Sequence, residues 1–271
     1  MDHGSVGRRL MIMTGSNSYF FFWAGQFMYI GRAIDTSTHD HHAIQIALSF
    51  DHPFYISSPE GSFKKVMAVI IDSDQPHECR TNENTFLLLN IDPMTTVGRA
   101  LKKNYLSRQA VMELPAEETA QFLQRIEACL GADVLDSHHV HDLTRHYVHR
   151  LSGLEQDAVV DERIQQVMRL LEEKKDEEFK IEDLAAEVFL SPGRLTHLFK
   201  KQVGIPIKKY VLWARILMAL QKVFETRNLR EAALYAGFSD ASHFNRTFRK
   251  MFGLYPSAIL KNSQNVQAFW K

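Results

Sequence analysis

The N-terminal third of the chain places its hydrophobic side chains in short runs separated by turn residues. Apolar runs occupy residues 20–23, 66–71 and 86–91, and alternate positions are apolar from 44 to 50. Prolines, glycine and asparagines interrupt the chain between these runs. Several short strands with turn signals between them are typical of a small β-barrel or sandwich. The pattern therefore predicts an N-terminal domain built from β-strands.

Beyond about residue 92 the apolar residues recur at steps of three and four, which is the period of an α-helix. A helix is predicted to begin near residue 116, with an apolar face of Phe122, Leu123, Ile126 and Leu130. A second helix, at about 137–154, carries a narrower stripe made of Val140, Leu143, Tyr147, Leu151 and Leu154. Such a stripe packs either against the chain's own strands or against a second copy of the chain, and the pattern leaves both interpretations open.

The segment 152–161 has few large side chains and is the best candidate for a linker. Asp161 is a suitable N-cap for the next helix, and everything after it has helical spacing. We therefore predict a first domain over residues 1–157, a second over 158–262 and a C-terminal tail over 263–271.

The second domain contains an internal repeat. The sequence LAAEVFLS at 184–191 is matched by AALYAGFS at 232–239, and FKK at 199–201 is matched by FRK at 248–250. Each copy predicts a helix with small alanines, a tight turn and a second helix capped by a serine. This is the plan of a helix-turn-helix unit, whose second helix lies in the major groove of DNA.

The spacing of the two units and the distribution of charge both favour DNA as the partner. Ser191 and Ser239 are the expected N-caps of the two recognition helices, and residues 207–226 predict one long helix that joins the units. Recognition helices held in this way can enter successive major grooves, about 34 Å apart. The chain has zero formal net charge, but residues 190–262 hold thirteen basic and three acidic side chains. A basic segment separated from an acidic one indicates nucleic-acid binding.

The second copy also carries a family resemblance. GFSD at 237–240, SHFNRTFRK at 242–250 and GLYP at 253–256 resemble the signature of the AraC/XylS family of transcription regulators. The resemblance covers about residues 160–261. It implies base-edge contacts from the outward side chains of the two recognition helices: Arg194, Thr196, His197, Ser242, His243, Asn245 and Arg246. It implies phosphate contacts from Lys200, Lys201, Arg249 and Lys250. Gly193 stands where the family often has a larger contact residue.

Histidines mark a second candidate site in the N-terminal domain. The sequence HDHH at 39–42 precedes a predicted strand, and Pro76 and His77 lie at the end of a later one. This arrangement resembles the cupin barrel, whose metal site pairs a His-x-His with a later histidine, and it implies His39, His41 and His77. No glutamate follows the His-x-His, and the nearest polar residue is Gln45.

Three interpretations of these histidines stay open: contacts to an organic effector, ligands of a metal, or strand-end residues with no ligand role. We take His39, His41, His77 and Gln45 as effector contacts and predict no metal and no cofactor. A second group, consisting of His138, His139, His141, His146 and His149, is predicted to form a solvated helix face. Cys79 and Cys129 have no close spacing, which favours a reduced, intracellular protein. The longest apolar run is too short for a membrane helix, so we expect a cytoplasmic protein.

These observations combine into one prediction. The fold is α+β, with an N-terminal cupin-like β-barrel carrying dimerisation helices and a C-terminal all-α domain of two helix-turn-helix units joined by a long helix. The resemblance implies a homodimeric activator that binds promoter DNA, contacts RNA polymerase and responds to a small-molecule effector in the barrel. We expect no enzymatic activity. The alternatives are a metal-dependent cupin enzyme or metal sensor fused to a DNA-binding domain, and a constitutive DNA-binding protein whose barrel only dimerises.

Overall fold

The computed structural model describes residues 17–23, 25–32, 38–57, 63–80, 84–154, 161–173, 180–252, 255–257 and 265–270. The strands in these ranges are β1 (Asn17–Trp23), β2 (Gln26–Arg32), β3 (Ile44–Ser49), β4 (Phe54–Ser57), β5 (Phe63–Val66), β6 (Ala68–Ile71), β7 (Glu78–Arg80), β8 (Thr85–Ile91), β9 (Val111–Glu113) and β10 (Asn265–Trp270). The helices are α1 (Thr96–Tyr105), α2 (Ala116–Leu130), α3 (Ser137–Ser152), α4 (Glu162–Glu173), α5 (Ile181–Glu187), α6 (Pro192–Val203), α7 (Ile207–Thr226), α8 (Leu229–Tyr235) and α9 (Ala241–Phe252).

The described strands form two separate sheets. The larger has the order β10-β1-β2-β8-β3-β6-β9, and the smaller has the order β5-β4-β7. All neighbours are antiparallel except β1 and β10, which run parallel. β10 lies in the predicted tail and covers the edge of β1. The predicted α+β fold, with a β-rich N-terminal domain before a helical C-terminal domain, is confirmed. The expected cupin-like barrel is corrected in one respect, because the two sheets are not closed into a barrel.

One face of the large sheet is covered by two different parts of the chain. At β3, β6 and β8 this face packs on the small sheet through a core that includes Ala47, Val69 and Phe54. At β1 and β2 the same face places Phe20 and Phe27 in one core with the C-terminal helices. The C-terminal helices thus bury aromatic residues of β1 and β2 on this face.

The opposite face of the large sheet packs against α1, α2 and α3. Both faces are therefore covered, which explains why β3 is buried along its whole length. The narrow stripe of α3 lies in this core: Val140, Leu143, Tyr147 and Leu151 are buried, and the Tyr147 ring stacks on Phe122 at 4.2 Å. The stripe packs on the chain's own strands, so a dimer would need a different surface.

The predicted boundary at 157/158 falls in residues 155–160, outside the described residues. The predicted cap beside it is present, because the carboxylate of Asp161 accepts a hydrogen bond from the backbone N–H of Arg163 at 3.0 Å. None of the helices in the described ranges is both long enough and apolar enough to cross a membrane.

Candidate nucleic-acid interface and effector site

The first helix-turn-helix unit consists of α5, a turn and α6. Ser191 caps α6, since its hydroxyl accepts a hydrogen bond from the backbone N–H of Arg194 at 3.3 Å, and Pro192 occupies the first helical position. Leu195 and Phe199 are buried beneath the helix. These contacts fix α6 on the domain and leave its other face outward.

Most of the side chains predicted to contact DNA from α6 lie on this outer face. Arg194, His197, Lys200 and Lys201 are exposed. Thr196 is half-buried, and its hydroxyl donates to the carbonyls of Pro192 and Gly193 at 3.1 and 3.0 Å. A Cβ at Gly193 would meet no atom within 4 Å, so the helix surface has room for a larger side chain at this position.

The second unit consists of α8, a turn and α9. Phe244 and Phe248 are buried beneath α9, as the repeat predicts. The predicted cap is wrong by one residue: α9 begins at Ala241, and Asp240 accepts the hydrogen bond from the His243 N–H at 2.7 Å. That bond holds the pKa of Asp240 below its usual range. Ser239 instead contacts Asp240 and the Nδ1 atom of His243, both at 3.2 Å.

The outer face of α9 carries the predicted contact residues of the second unit. Ser242, His243, Arg246, Arg249 and Lys250 are exposed, and Asn245 is half-buried. The Arg249 guanidinium lies over the Tyr255 ring at 4.8 Å. The Oδ1 atom of Asn245 is buried and has no hydrogen-bond partner among the described residues. The helix thus offers a basic surface with one unsatisfied acceptor.

The turns of the two units share a positive φ at one equivalent position, where their residues differ. Phe189 in the first turn and Gly237 in the second occupy equivalent places in the repeat, and their φ angles are 54° and 75°. Phe189 is 96% exposed, so nothing in the described chain packs on its ring. A left-handed backbone that glycine adopts readily is therefore held by a bulky residue in the first unit.

Recognition helix α9 faces the histidine segment of the N-terminal domain across a cleft of about 640 Å³. The lining side chains come from both domains: Thr38, His39, Asp40, Pro76, Ser242, Asn245, Arg246, Arg249, Lys250 and Tyr255. The backbone N–H of His42 donates to the Lys250 carbonyl at 2.8 Å. Five residues predicted to contact DNA therefore border the N-terminal domain.

A buried carboxylate joins the domains beside this cleft. Asp92, directly after β8, accepts hydrogen bonds from Lys209 Nζ at 3.0 Å and from Trp213 Nε1 at 3.1 Å. Lys209 also donates to His42 Nε2 at 3.1 Å, and His42 Nδ1 lies 3.2 Å from Asp74. Sequence reasoning missed these residues. In the sequence, Asp92 is an aspartate before a proline and Lys209 is a lysine on a predicted helix, and no motif connects the two.

The end of α6 is docked on the N-terminal domain as well. Gly204 ends this helix with φ 91°, and a Cβ at Gly204 would lie 2.8 Å from the backbone nitrogen of Thr96. The Arg99 guanidinium donates to the Gly204 carbonyl at 3.4 Å. Both recognition helices therefore contact the N-terminal domain.

The structure brings the three predicted histidines together. Among the described residues, His39, His41 and His77 are the one group of three metal-ligating side chains, with ligand atoms within 4.8 Å of one another. The ring of His77 lies 4.4 Å from that of His39 and 5.0 Å from that of His41. A backbone bridge between His39 and His77, with hydrogen bonds of 3.0 and 2.9 Å, fixes the pair.

Two of these imidazoles are buried and neutral. His41 Nδ1 lies 2.9 Å from the Ala43 carbonyl, and His77 Nδ1 lies 2.9 Å from the Gln75 carbonyl. Burial is the main cause that lowers the pKa of His41 to about 4, with a smaller effect of His39. Burial lowers the pKa of His77 to about 3, and the neighbouring His41 lowers it further. Both rings are therefore uncharged at neutral pH.

Gln45 lies on β3, on the face of the large sheet that packs against the small sheet. Its side chain is buried and donates to Asn90 Oδ1 at 3.4 Å. It also raises the pKa of His41, which partly offsets the larger effect of burial.

The second histidine group does not form a comparable cluster. His138, His139 and His146 are exposed on α3, and His141 packs its ring against Trp23 at 5.0 Å.

Comparison with known proteins identifies the C-terminal domain. Residues 184–262 match the family described as "Helix-turn-helix domain". The arabinose operon regulatory protein of Escherichia coli (strain K12) is 33% identical over 100 residues, which are 36% of this chain and 34% of that protein. The uncharacterized HTH-type transcriptional regulator YidL of the same organism is 32% identical over 102 residues, which are 37% of this chain and 34% of that protein. The match thus spans about a third of each relative's length.

A solved structure resembles a larger part of the chain. ToxT from Vibrio cholerae O395 aligns with 89% of this chain and 99% of its own, with a TM-score of 0.51 and 11% identity. This likeness shows a shared fold, in which a β-rich N-terminal domain precedes a helical C-terminal domain. Residues 184–262 therefore form a helix-turn-helix domain, and this part of the chain is similar to the matched parts of the arabinose operon regulatory protein and YidL.

Proposed function

We propose that this chain is a transcription regulator that binds promoter DNA sequence-specifically through α6 and α9. The observation that carries the proposal is the pair of helix-turn-helix units in one basic domain, each with a recognition helix that is apolar beneath and polar outside. Two such helices can read two successive segments of major groove. The matched relatives are named as a transcriptional regulator and as an operon regulatory protein, which supports a regulator rather than an enzyme.

The outward residues have two different roles in this proposal. Seven of them reach base edges and determine sequence: Arg194, Thr196, His197, Ser242, His243, Asn245 and Arg246. Four reach phosphates and supply affinity that depends on salt: Lys200, Lys201, Arg249 and Lys250. Arginine and asparagine hydrogen-bond guanine and adenine edges respectively, so Arg246 and Asn245 are the strongest candidates for direct readout.

We further propose that the N-terminal domain binds a small-molecule effector and controls α9. The effector contacts His39, His41, His77 and Gln45. His39 lines the cleft that borders the recognition helix, and His41 and His77 lie next to it. Binding changes the contacts of the His39–His42 segment with Lys209 and Lys250. It thereby shifts the population of the arrangement in which α9 is free to enter the major groove.

The remaining features of the proposal follow from family resemblance. The protein acts in the cytoplasm as a homodimer and activates transcription through contact with RNA polymerase. The dimer uses a surface other than the apolar stripe of α3, because that stripe is buried in the chain's own core.

The test is selection of duplexes from a random pool by the full-length chain, followed by binding measurements on the selected site over a range of salt concentrations. We expect a preferred sequence and an affinity that falls with salt by about 0.9 log units per decade for each neutralised phosphate. An Arg246→Ala variant should lose the preference at defined base pairs, whereas Arg230→Ala, on the exposed surface of α8, serves as a charge-matched control. Equal binding of the chain to all duplexes in the pool would contradict the proposal.

A further inference from the structure

The histidine group has a geometry that an organic effector does not require. Each of the two buried rings has its Nδ1 atom beside a backbone carbonyl, at 2.9 Å in both cases. A carbonyl only accepts hydrogen bonds, so Nδ1 carries the proton in both rings. Each Nε2 atom therefore holds a lone pair, because the neutral imidazole has one proton only.

Those lone pairs are unsatisfied. The Nε2 atoms of His41 and His77 are buried and have no hydrogen-bond partner among the described residues. Buried acceptors without a partner are rare in folded proteins and indicate a bound water or ion. His41 and His77 belong, with His39, to a group of three histidines whose ligand nitrogens lie within 4.8 Å of one another.

The chemistry of the set matches a divalent transition metal. Neutral imidazole nitrogen is a common ligand of zinc and its neighbours, at about 2.0–2.1 Å for zinc. Histidine ligands usually donate their other ring N–H to a backbone carbonyl or carboxylate, as His41 and His77 do here. Three protein ligands leave a fourth coordination position for water or an anion.

We propose that His39, His41 and His77 bind one divalent transition-metal ion and that this ion is the effector of the regulator. The proposal rests on the proposed function and names its ligand class. His39 is half-buried and lies at the border of the interdomain cleft, so an ion can enter from that side.

The site is connected to the DNA-binding domain by short contacts. His42, next to the ligand His41, donates its backbone N–H to the Lys250 carbonyl on α9 at 2.8 Å. Its ring accepts from Lys209 on α7 at 3.1 Å. Drawing the three imidazoles toward one ion changes the position of the His39–His42 segment, and both contacts change with it.

The first measurement is titration of the untagged full-length chain, stripped with EDTA and dialysed, with Zn²⁺ by calorimetry and with Co²⁺ by visible absorption. We expect one ion per chain, at least tenfold weaker binding in His39→Ala, and unchanged binding in His146→Ala, which alters an exposed histidine of α3. Circular dichroism establishes that each variant is folded. His39→Ala is the first variant, because His39 is only half-buried and its removal disturbs the fold less than removal of the buried His41 or His77. His77→Gln is the second variant. Absence of uptake by the wild-type chain, or equal uptake by folded His39→Ala, would overturn the metal site.

The second measurement is the affinity of the same protein for its selected duplex, with Zn²⁺ and with EDTA. We expect a change of at least fivefold in the wild-type chain and none in His39→Ala. Metal uptake with unchanged DNA affinity overturns the role of the ion as effector. Sequence-specific DNA binding without metal uptake overturns this inference and leaves the proposed function standing. Absence of sequence-specific binding in both conditions overturns the proposed function.

Discussion

The indole N–H of Trp213 donates to the carboxylate of Asp92 at 3.1 Å, and this bond joins the long helix of the DNA-binding domain to the end of a strand in the N-terminal domain. Lys209, one turn earlier on the same helix, adds an ion pair at 3.0 Å. The side chain of Asp92 is 1% exposed. A charge buried this deeply is tolerated only when it is paired, so these contacts hold the two domains in one arrangement.

Removal of this carboxylate should destabilise the protein substantially. In Asp92→Ala, the Trp213 N–H and the Lys209 ammonium both lose their acceptor. Breaking a buried pair costs about 3–5 kcal/mol, and partial exposure of Lys209 reduces this to about 2–3 kcal/mol. Urea unfolding measures the change. The control is Glu225→Ala, which removes a partner of Lys222 whose side chain is 66% exposed, and it should cost less than about 1 kcal/mol. Equal losses in the two variants would contradict the structural role of Asp92.

The two classes of predicted DNA contact should differ in their dependence on salt. Lys200→Ala and Lys201→Ala are each expected to weaken binding to all duplexes alike and to reduce the salt slope by about 1. Asn245→Ala should instead cost about 1–3 kcal/mol on the preferred site and little on others. Anisotropy titrations on a preferred and a scrambled duplex, at several salt concentrations, separate the two effects. A lysine variant that changes the sequence preference without altering the slope would contradict the assignment.

The turns of the two helix-turn-helix units should respond in opposite directions to exchange of their residues. Phe189→Gly relieves a left-handed backbone at a fully exposed position, so we expect a gain of up to about 1 kcal/mol in the free energy of unfolding. Gly237→Ala imposes the same strain on the second turn and places a Cβ 3.3 Å from the Arg215 guanidinium. We expect Gly237→Ala to lower the free energy of unfolding by about 1–2 kcal/mol. Thermal unfolding of both variants provides the comparison. A loss of stability in Phe189→Gly would contradict the prediction, because the backbone strain would then be smaller than the entropy that glycine adds to the unfolded chain.

The helix-turn-helix units could be predicted from sequence because their determinants are local. The period of Leu195 and Phe199, and of Phe244 and Phe248, places these residues on one helix face whatever surrounds the helix. The cap of α9 was the exception. Ser239 and Asp240 are adjacent and both can cap a helix, so the pattern alone does not choose between them.

The barrel and the interdomain contacts depend on distant parts of the chain, and sequence reasoning did not reach them. Phe20 and Phe27 have the pattern of core residues in a closed barrel, but the surface that covers them belongs to helices in the second domain. Asp92 pairs with a lysine 117 positions away, and no spacing rule connects the two. The grouping of the histidines could be predicted, because the motif at 39–42 and the later His77 each adjoin a strand. The orientation of their Nε2 atoms required the structure.

The buried histidines should make the metal-free protein sensitive to mild acid. The pKa values of His41 and His77 are lowered from about 6.5 in the unfolded chain to about 4 and about 3 in the folded chain. Between about pH 6.5 and pH 4 the unfolded chain therefore binds more protons than the folded chain, so the free energy of unfolding falls as the pH falls. Each group contributes about 1.4 kcal/mol per pH unit over the roughly 1.5 pH units between pH 6.5 and pH 5, which gives a loss of about 4 kcal/mol for the pair between pH 7 and pH 5.

Urea unfolding in EDTA at the two pH values measures this loss. Asp161, whose pKa is lowered to about 2 by Arg163, loses its contribution only below about pH 4 and does not interfere. A folded His41→Gln/His77→Gln variant should show a smaller difference between pH 7 and pH 5, because neither glutamine titrates. The His146→Ala control changes an exposed histidine and should keep the full difference. An equal loss in the wild-type chain and the double variant would mean that other groups cause the acid sensitivity.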